Sequence, residues 1–533
     1  MRKRHIAIRV TIATMLLLLV TVPLASADNG TDSSALRTAV TVAGIRAHQQ
    51  EFQDIATANN DTRVAGTTGH DLSADYVRDE LLAAGYAVSY QSFNFAFFQE
   101  LTPAELEQTA PGAVSYGYLV DFFTMDYSGS GDVTAPVTAV DLVLALPRAP
   151  VTSGCDGDFT EVGSGGFGNI VPDPSGPNDF AGFPAGNIAL LQRGTCTFAL
   201  KATNAQAAGA SGVIIFNQGN TPARELLFGG TLGGPFTIPV VSASFALGQA
   251  LALTSGLVLH LKTDTVSENR TTNNVIAETP GGRRDRVVVV GAHLDSVSEG
   301  PGINDNGSGS AAILEIALQM DALNIQPRNQ VRFIWFSAEE SGLLGSEYYV
   351  SQLTTRRIKN IAVMLNFDMV GSPNYVRFVY DGDGSGTGTV GPNGSDVVED
   401  VFLDYFGSTP TEPTAFDGRS DYGPFIDVGI PAGGLFTGAE GIKTLAQVDV
   451  YGGLAGAQYD PCYHQACDTF AGTGDGVGAT PPGRGLIALD QMSDAAAHAV
   501  LTFAMTTSAV NGTDKGSGKG TPDMEFQGSN LRK

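Results

Sequence analysis

The chain has 533 residues, 43% of them hydrophobic and 16% charged, and a formal net charge of −25. This composition belongs to a folded globular protein, excludes a disordered one, and allows roughly two to four domains. A chain this acidic repels nucleic acid and anionic membrane, so neither is expected as a partner.

The first residues, MRKRHIAIRVTIATMLLLLVTVPLASA, join a basic start, an apolar middle and Ala25-Ser26-Ala27 ahead of Asp28. That is the pattern of a secretory signal over residues 1–27, cut after Ala27. The cut removes Arg2, Lys3, Arg4 and Arg9 and no acid, which takes the formal charge from −25 to −29. No later segment offers about twenty uninterrupted apolar residues. The mature chain is therefore expected to have no membrane span and to be secreted and extracellular.

Residues 28–38 are polar and read as loose. Helical periodicity starts near Val42 and returns in DLSADYVRDELLAAGY. There Leu72, Tyr76, Val77, Leu81 and Leu82 share a face, and Gly85 stops the helix. AVSYQSFNF then alternates as a strand does.

From about residue 101 to 265 the texture changes. Short β-like runs (APVTAVDLVLAL, NIALLQRG, GVIIFN, IPVVSAS) are separated by Gly-, Pro- and Asp-rich turns, and one helix, CTFALKATNAQAAGA, interrupts them. This predicts a separate, mainly β domain. Its stretch NIALLQRGTCTFALKATNAQAAGASGVIIFNQ resembles the protease-associated (PA) domain. The resemblance implies an accessory module that caps or borders a peptidase site and has no catalysis of its own.

After NNVIAETPGG the pattern becomes strand, loop and helix in repetition. RVVVVGAH, VRFIWFSAEE and IAVMLNFDMV read as continuous apolar strands; GSGSAAILEIALQMDAL and GLLGSEYYVSQL read as helices. Such strands alternating with helices predict the α/β class, a mixed, largely parallel sheet flanked by helices on both faces. Residues 40–100 have no core of their own. They are expected to join residues 266–507 in one discontinuous domain, with 101–265 as an insertion. Residues 508–533, polar and Gly-rich, read as a disordered tail.

The four cysteines are Cys155, Cys196, Cys462 and Cys467. An even count in an exported chain predicts disulfides, and sequence proximity pairs Cys155 with Cys196 and Cys462 with Cys467. A zinc site of four thiolates is the competing reading. The different character of the two segments and the oxidising setting weigh against it.

Open α/β sheets bind ligands just beyond the carboxyl ends of their strands. Three such ends carry metal-ligand types: His293 and Asp295 in VVVVGAHLDSV, Glu339 and Glu340 in FIWFSAEES, and Asp368 in MLNFDMVG. Asp305 sits in a Gly-rich turn, GPGINDNGSGS, that leads into a helix. His464 lies in YDPCYHQACDT, inside the expected six-residue disulfide loop. Taken singly, each reads as a cap, a turn former or a satisfied histidine; their convergence on one sheet edge argues for a site. Two histidines and three carboxylates, one of them bridging, give two metals three protein ligands each. That donor mixture with an open position suits catalytic zinc. Two-metal sites with ions about 3.5–4 Å apart serve aminopeptidases among others.

AHLDSV, GINDNGSGSA, AEESGLLGS, NFDMVGSP and CYHQACD together resemble the zinc-dependent M28 peptidase family, most of all its secreted bacterial aminopeptidases. Five spaced motifs in order cover most of residues 272–505 and, more weakly, 40–100. The resemblance implies two Zn2+ per chain, with His293 and Asp368 private to one, Glu340 and His464 private to the other, and Asp305 between them. It makes Asp295 the carboxylate that orients His293, Glu339 the general base on a zinc-bridging water, and Tyr463 the hydroxyl that stabilises the oxyanion. GRSDYGPF and GGLFTG also resemble those aminopeptidases. Arg419 and Phe436 are then expected to shape the substrate site, Phe436 within an apolar pocket. Asp490 and Asp494 fit an LDxxSD pattern with which some relatives bind Ca2+, although the N-terminal half of such a site is not evident.

The expected function is an exported di-zinc metallo-aminopeptidase, acting as a monomer on peptide or protein N-termini and preferring apolar first residues. A metallo-carboxypeptidase of the same family is the alternative. It needs cations for the substrate's C-terminal carboxylate, and no arginine cluster lies near the motifs. A non-catalytic, receptor-like binding protein on this fold is the third reading.

Overall fold

The computed structural model describes residues 31–145, 151–155, 159–162, 169–172, 178–476 and 478–510. The expected signal, 1–27, and residues 511–533 of the expected tail lie outside the described residues.

The chain opens with α1 (Ser34–Ala39), α2 (Val42–Ala58) and α3 (Thr68–Ala83). Thr41 starts α2 by accepting the Gly44 N–H on Oγ1 at 3.1 Å. The short α1 corrects the reading of 28–38 as loose over residues 34–38, while 28–30 lie outside the described residues. Leu36 is fully buried, and the Ser33 hydroxyl meets His498 Nδ1 at 2.8 Å. Six residues are too few to show a helical period, so α1 depends on its docking site rather than on its own pattern.

Two long strands follow, β1 (Ala87–Ala110) and β2 (Val258–Glu278), paired antiparallel along nearly their whole length. The expected domain limits at 101 and 265 fall inside these strands, close to the register shifts at Glu100–Thr102 and Thr102–Glu105. The chain thus passes into the inserted segment and returns along one ribbon. In the insertion, Gly131–Ala139 pairs with β2, and Ile188–Gln192, Gly212–Phe216 and Val240–Ala243 follow in parallel. The helix Phe198–Ala207 matches the one read from sequence. A second, Phe245–Leu253, starts at Ser244, whose Oγ accepts the Leu247 N–H at 3.2 Å. Cys155 and Cys196 are disulfide-bonded here, as are Cys462 and Cys467 further on.

The remaining strands are β3 (Arg283–His293), β4 (Asn329–Phe336), β5 (Ile361–Phe367), β6 (Phe378–Tyr380), β7 (Glu412–Thr414) and β8 (Ala432–Phe436). Between and after them come α4 (Gly307–Ala322), α5 (Leu344–Ser351), α6 (Ser395–Phe406) and α7 (Arg484–Met505). The sheet order is β7-β6-β8-β5-β3-β4-β2, with β1 beyond β2. The four central strands, β8, β5, β3 and β4, run parallel; β2 runs against β4, and β6 runs against β8 but parallel to β7. This is the mixed, largely parallel α/β sheet that the apolar runs predict.

Strand β3 shows why those runs are continuous. Val288, Val290 and Ala292 face a core built with α4 and α7, while Val287 and Val289 face a second core with Tyr349 and Val350 of α5 and with Phe425. Both faces are covered, so successive side chains must all be apolar although they point to opposite sides. From β3 the chain crosses to β4 on one side and then to β5 on the other. Ligand crevices form where strand order reverses in this way.

Leu36→Ala is expected to lower the unfolding free energy by about 2–5 kcal/mol, the range for emptying a closed apolar site. A urea-unfolding midpoint shows it; a loss under about 1 kcal/mol would mean that α1 is not held on α7.

Candidate metal centre

His293 is the last residue of β3, and Asp368 is the first after β5. β4 ends at Phe336, and Ala338 then turns the chain with φ 56° in the left-handed region. Met369 and His464 adopt the same unusual sign, φ 49° and 55°. Non-glycine residues reach this conformation only when their surroundings impose it. The turn at Ala338, rather than the pleat of a strand, sends Glu339 and Glu340 in different directions.

The two histidines approach Asp305 from opposite sides. His293 Nε2 lies 3.3 Å from Asp305 Oδ1, and His464 Nε2 lies 3.3 Å from Oδ2. His293 Nε2 is also 3.4 Å from Asp368 Oδ1 and 4.0 Å from Glu339 Oε2, and His464 Nε2 is 3.1 Å from Glu340 Oε2. Donor atoms of His293, Asp305 and Glu340 lie within 4.8 Å of one another, as do those of His293, Glu339 and Asp368. Glu340 Oε1 and Asp368 Oδ1 are buried without a hydrogen-bond partner. Orphaned buried carboxylate oxygens beside two imidazoles are what a nitrogen- and oxygen-ligated zinc site requires, so the residues fit the group.

Electrostatics point the same way. Burial drives the Glu339 carboxyl well above its ordinary range, with His293 opposing and Glu340, Asp368 and Asp421 adding to the rise. Burial likewise raises Glu340, against His464. Burial alone would lower His293, but Glu339, Asp368, Asp295 and Asp305 outweigh it and hold the imidazole well above its usual value. Burial is again outweighed at His464, which Glu340 and Asp305 push up to about 11. The cluster holds protons tightly, and divalent cations compete for the same charge.

Asp295 does more than face His293. Its backbone carbonyl lies 3.2 Å from His293 Nδ1 and its Oδ1 lies 3.6 Å from that nitrogen. The same carboxylate accepts the N–H of Glu339 on Oδ1 at 3.2 Å and of Glu340 on Oδ2 at 3.3 Å. One buried acid therefore sets both glutamates.

Several positioning groups escape sequence reasoning. Asp468 accepts the N–H groups of Asn304 and Asp305 at 2.7 and 2.9 Å, and Asn304 donates to Asp460 at 2.6 Å. Ser420 donates to Asp368 Oδ2 at 2.6 Å. Arg63, fully buried, donates to the carbonyls of Leu294, Pro301 and Gly302. Asn304, Asp468 and Ser420 lie inside the quoted motifs, yet their partners lie far along the chain. Arg63 carries no local signal.

The open side of the centre is lined by Met369, Tyr380, Arg419, Phe436 and Tyr463. Phe436 stacks on Phe378 at 5.9 Å. Arg419 pairs with Glu440 at 2.8 Å and donates to the Tyr463 hydroxyl at 3.4 Å, and the Tyr463 ring stacks on His464 at 3.8 Å. A larger cleft runs from Glu340 and His464 towards Phe97, Phe98, Tyr118 and Phe123. Asp490 and Asp494 stand on α7, away from this centre, and Asp494 lies 3.8 Å from Arg37.

A model of peptidase family M28 matches residues 274–476, and one of the PA domain matches residues 133–251. An aminopeptidase of Pseudomonas aeruginosa (strain UCBPP-PA14) is 49% identical over 426 residues, 79% of this chain and 75% of that protein. A probable leucine aminopeptidase 2 of Aspergillus fumigatus is 40% identical over 433 residues, 79% and 77% of the two chains. Among solved structures, an aminopeptidase from Aneurinibacillus sp. strain AM-1 aligns over 89% of this chain and 95% of its own, with TM-score 0.56 and 26% identity. A zinc aminopeptidase from Bacillus subtilis aligns over 86% and 94%, with TM-score 0.51 and 25% identity.

Arg63→Met removes the side-chain donor from the buried carbonyls of Leu294, Pro301 and Gly302, of which Gly302 keeps the Gly307 N–H. It is expected to destabilise the protein by about 3–5 kcal/mol in urea unfolding. A change under about 1 kcal/mol would mean that the 294–302 loop holds itself.

Proposed function

Because the chain belongs to peptidase family M28 and is a zinc-dependent aminopeptidase, we propose that it holds two zinc ions, is exported, and prefers peptides with an apolar first residue. The observation that supports two ions most directly is Asp305, whose two oxygens each face a different imidazole. In this reading His293, Asp368 and Asp305 serve one ion, and Glu340, His464 and Asp305 the other. Export rests on the signal-like residues 1–27 and on two disulfides, which persist in oxidising compartments. The catalytic domain is assigned residues 40–100 and 266–507, with 101–265 as the inserted module and the chain acting as a monomer.

When bound, zinc polarises the scissile carbonyl and acidifies water. Glu339 takes a proton from the attacking water on its carboxylate and passes it to the departing amine as the C–N bond breaks. Its burial supports this role, because a carboxylate raised above the ordinary range is a stronger base towards the attacking water. The Tyr463 hydroxyl donates to the carbonyl oxygen as negative charge develops there, and Arg419 and the His464 ring hold it in place. Carboxylates around the centre receive the substrate's free ammonium, which confines cleavage to the N-terminus. Met369, Tyr380 and Phe436 provide the apolar surface for the first side chain. A carboxypeptidase would need a free cation here, and Arg419 is already paired with Glu440.

Leucine anilide is expected to be hydrolysed, N-acetyl-leucine anilide to be left intact, and chelator to abolish the reaction. Cleavage of the acetylated substrate would sink the reading. Glu339→Gln should cut kcat by roughly 10²–10⁴-fold while elemental analysis still finds about two zinc ions per chain. Loss of metal instead would exchange the assignments of Glu339 and Glu340.

A further inference from the structure

A second cluster of carboxylates lies outside the metal centre. The loop after β6 reads Asp381-Gly382-Asp383-Gly384-Ser385-Gly386-Thr387, and Glu399 reaches it from α6. Oxygen atoms of Asp381, Asp383 and Glu399 lie within 4.8 Å of one another.

Asp381 is fully buried, and its two oxygens are treated differently. Oδ2 accepts the Gly386 N–H at 3.1 Å, the Thr387 N–H at 2.6 Å and the Thr387 hydroxyl at 2.7 Å. Oδ1, equally buried, has no hydrogen-bond partner. Such an oxygen is costly unless something positive meets it, and its neighbours here are two further acids. Glu399 accepts the N–H groups of Gly382 and Asp383 on Oε2 at 2.8 and 3.3 Å. Even so, burial and the charges of Asp381 and Asp383 push its carboxyl up to about 7.

The spacing is independent of this geometry. Acid at the first and third positions, hydroxyl at the fifth and glycine at the sixth is the start of a calcium-binding loop of the D-x-D-x-[DNS]-G kind. The sixth-position glycine is required: a Cβ on Gly386 would stand 2.5 Å from Pro413 Cγ. The twelfth position is Pro392 rather than glutamate, and Glu399 from α6 supplies the carboxylate instead.

We propose that Asp381 Oδ1, Asp383 and Glu399 form a calcium site on the β6–α6 loop, separate from the zinc centre and from Asp490 and Asp494. An all-oxygen donor set on a partly exposed loop suits a hard cation that accepts flexible, high coordination, which favours calcium over zinc or magnesium. The site adjoins the catalytic opening. Tyr380, immediately before Asp381, lines it, and the Asp381 N–H donates at 2.9 Å to the carbonyl of Thr414, another lining residue. Bound calcium therefore pins one wall of the substrate cleft.

The test uses the full zinc-loaded chain, dialysed free of calcium with zinc held constant, then titrated with Ca2+ by equilibrium dialysis and by melting temperature. The expected result is one calcium per chain with half-saturation on the order of 0.1–1 mM, and a saturable rise in melting temperature. Asp383→Asn, at an exposed position, and Glu399→Gln should each weaken binding by roughly tenfold or more, while Asp494→Asn leaves it unchanged. Each variant's melting temperature in calcium-free buffer shows that it has folded, and removing a like charge should not lower it. Three results would overturn the assignment: no calcium bound by the unaltered chain up to about 5 mM, equal binding of Mg2+, or binding that survives Asp383→Asn and disappears with Asp494→Asn.

Discussion

Asp295, Asp305, Glu339, Asp368, Asp421, Asp460 and Asp468 are each nine-tenths or more buried around one edge of the sheet. A carboxylate without compensation costs several kcal/mol to bury, so this edge is where the fold is most at risk of coming apart. The surrounding structure answers that cost. Backbone N–H groups are aimed at the acids: those of Asn304 and Asp305 at Asp468, those of Glu339 and Glu340 at Asp295, that of Cys462 at Asp460. His293 and His464 take positions between carboxylates, and Arg63 brings a buried positive charge behind them.

These hydrogen bonds require loops in conformations that local preference would not choose. Ala338, Met369 and His464 all have positive φ, and each is or adjoins a proposed ligand or the proposed base. The sheet beneath holds them there. Strands β3, β4 and β5 are buried on both faces, and a strand end packed that firmly carries its last side chain with little freedom. Metal binding and folding are therefore linked: cations that satisfy the orphaned oxygens of Glu340 and Asp368 stabilise the arrangement that binds them.

Much of this was legible in the chain. Continuous apolar runs ending in His293 and Asp368 specified parallel strands buried on both sides, and ligands at such strand ends follow from the geometry of α/β sheets. The adjacent pair Glu339 and Glu340 was legible as two acids with two tasks, but the cause lies in the turn at Ala338 after β4 has ended. Helix α1 was not legible, since Leu36 and Val40 alone show no period. The domain limits at 101 and 265 followed a change of texture in the sequence and lie within the ribbon of β1 and β2. The DGDGSG loop had a readable spacing, yet its third acid, Glu399, lies well outside any contiguous motif.

The sequence by itself determined the class of the sheet, the residue types at its strand ends and the cysteine pairs. Those depend on periodicity and neighbour spacing, which are local. Only the tertiary structure decided that Asp305 presents one oxygen to each histidine, that Asp295 sets both glutamates, and that Arg63 and Asp468 hold the loops that carry them. Such contacts join residues up to 239 positions apart. A hydrogen bond is sensitive to tenths of an ångström and to direction, which no one-dimensional spacing encodes.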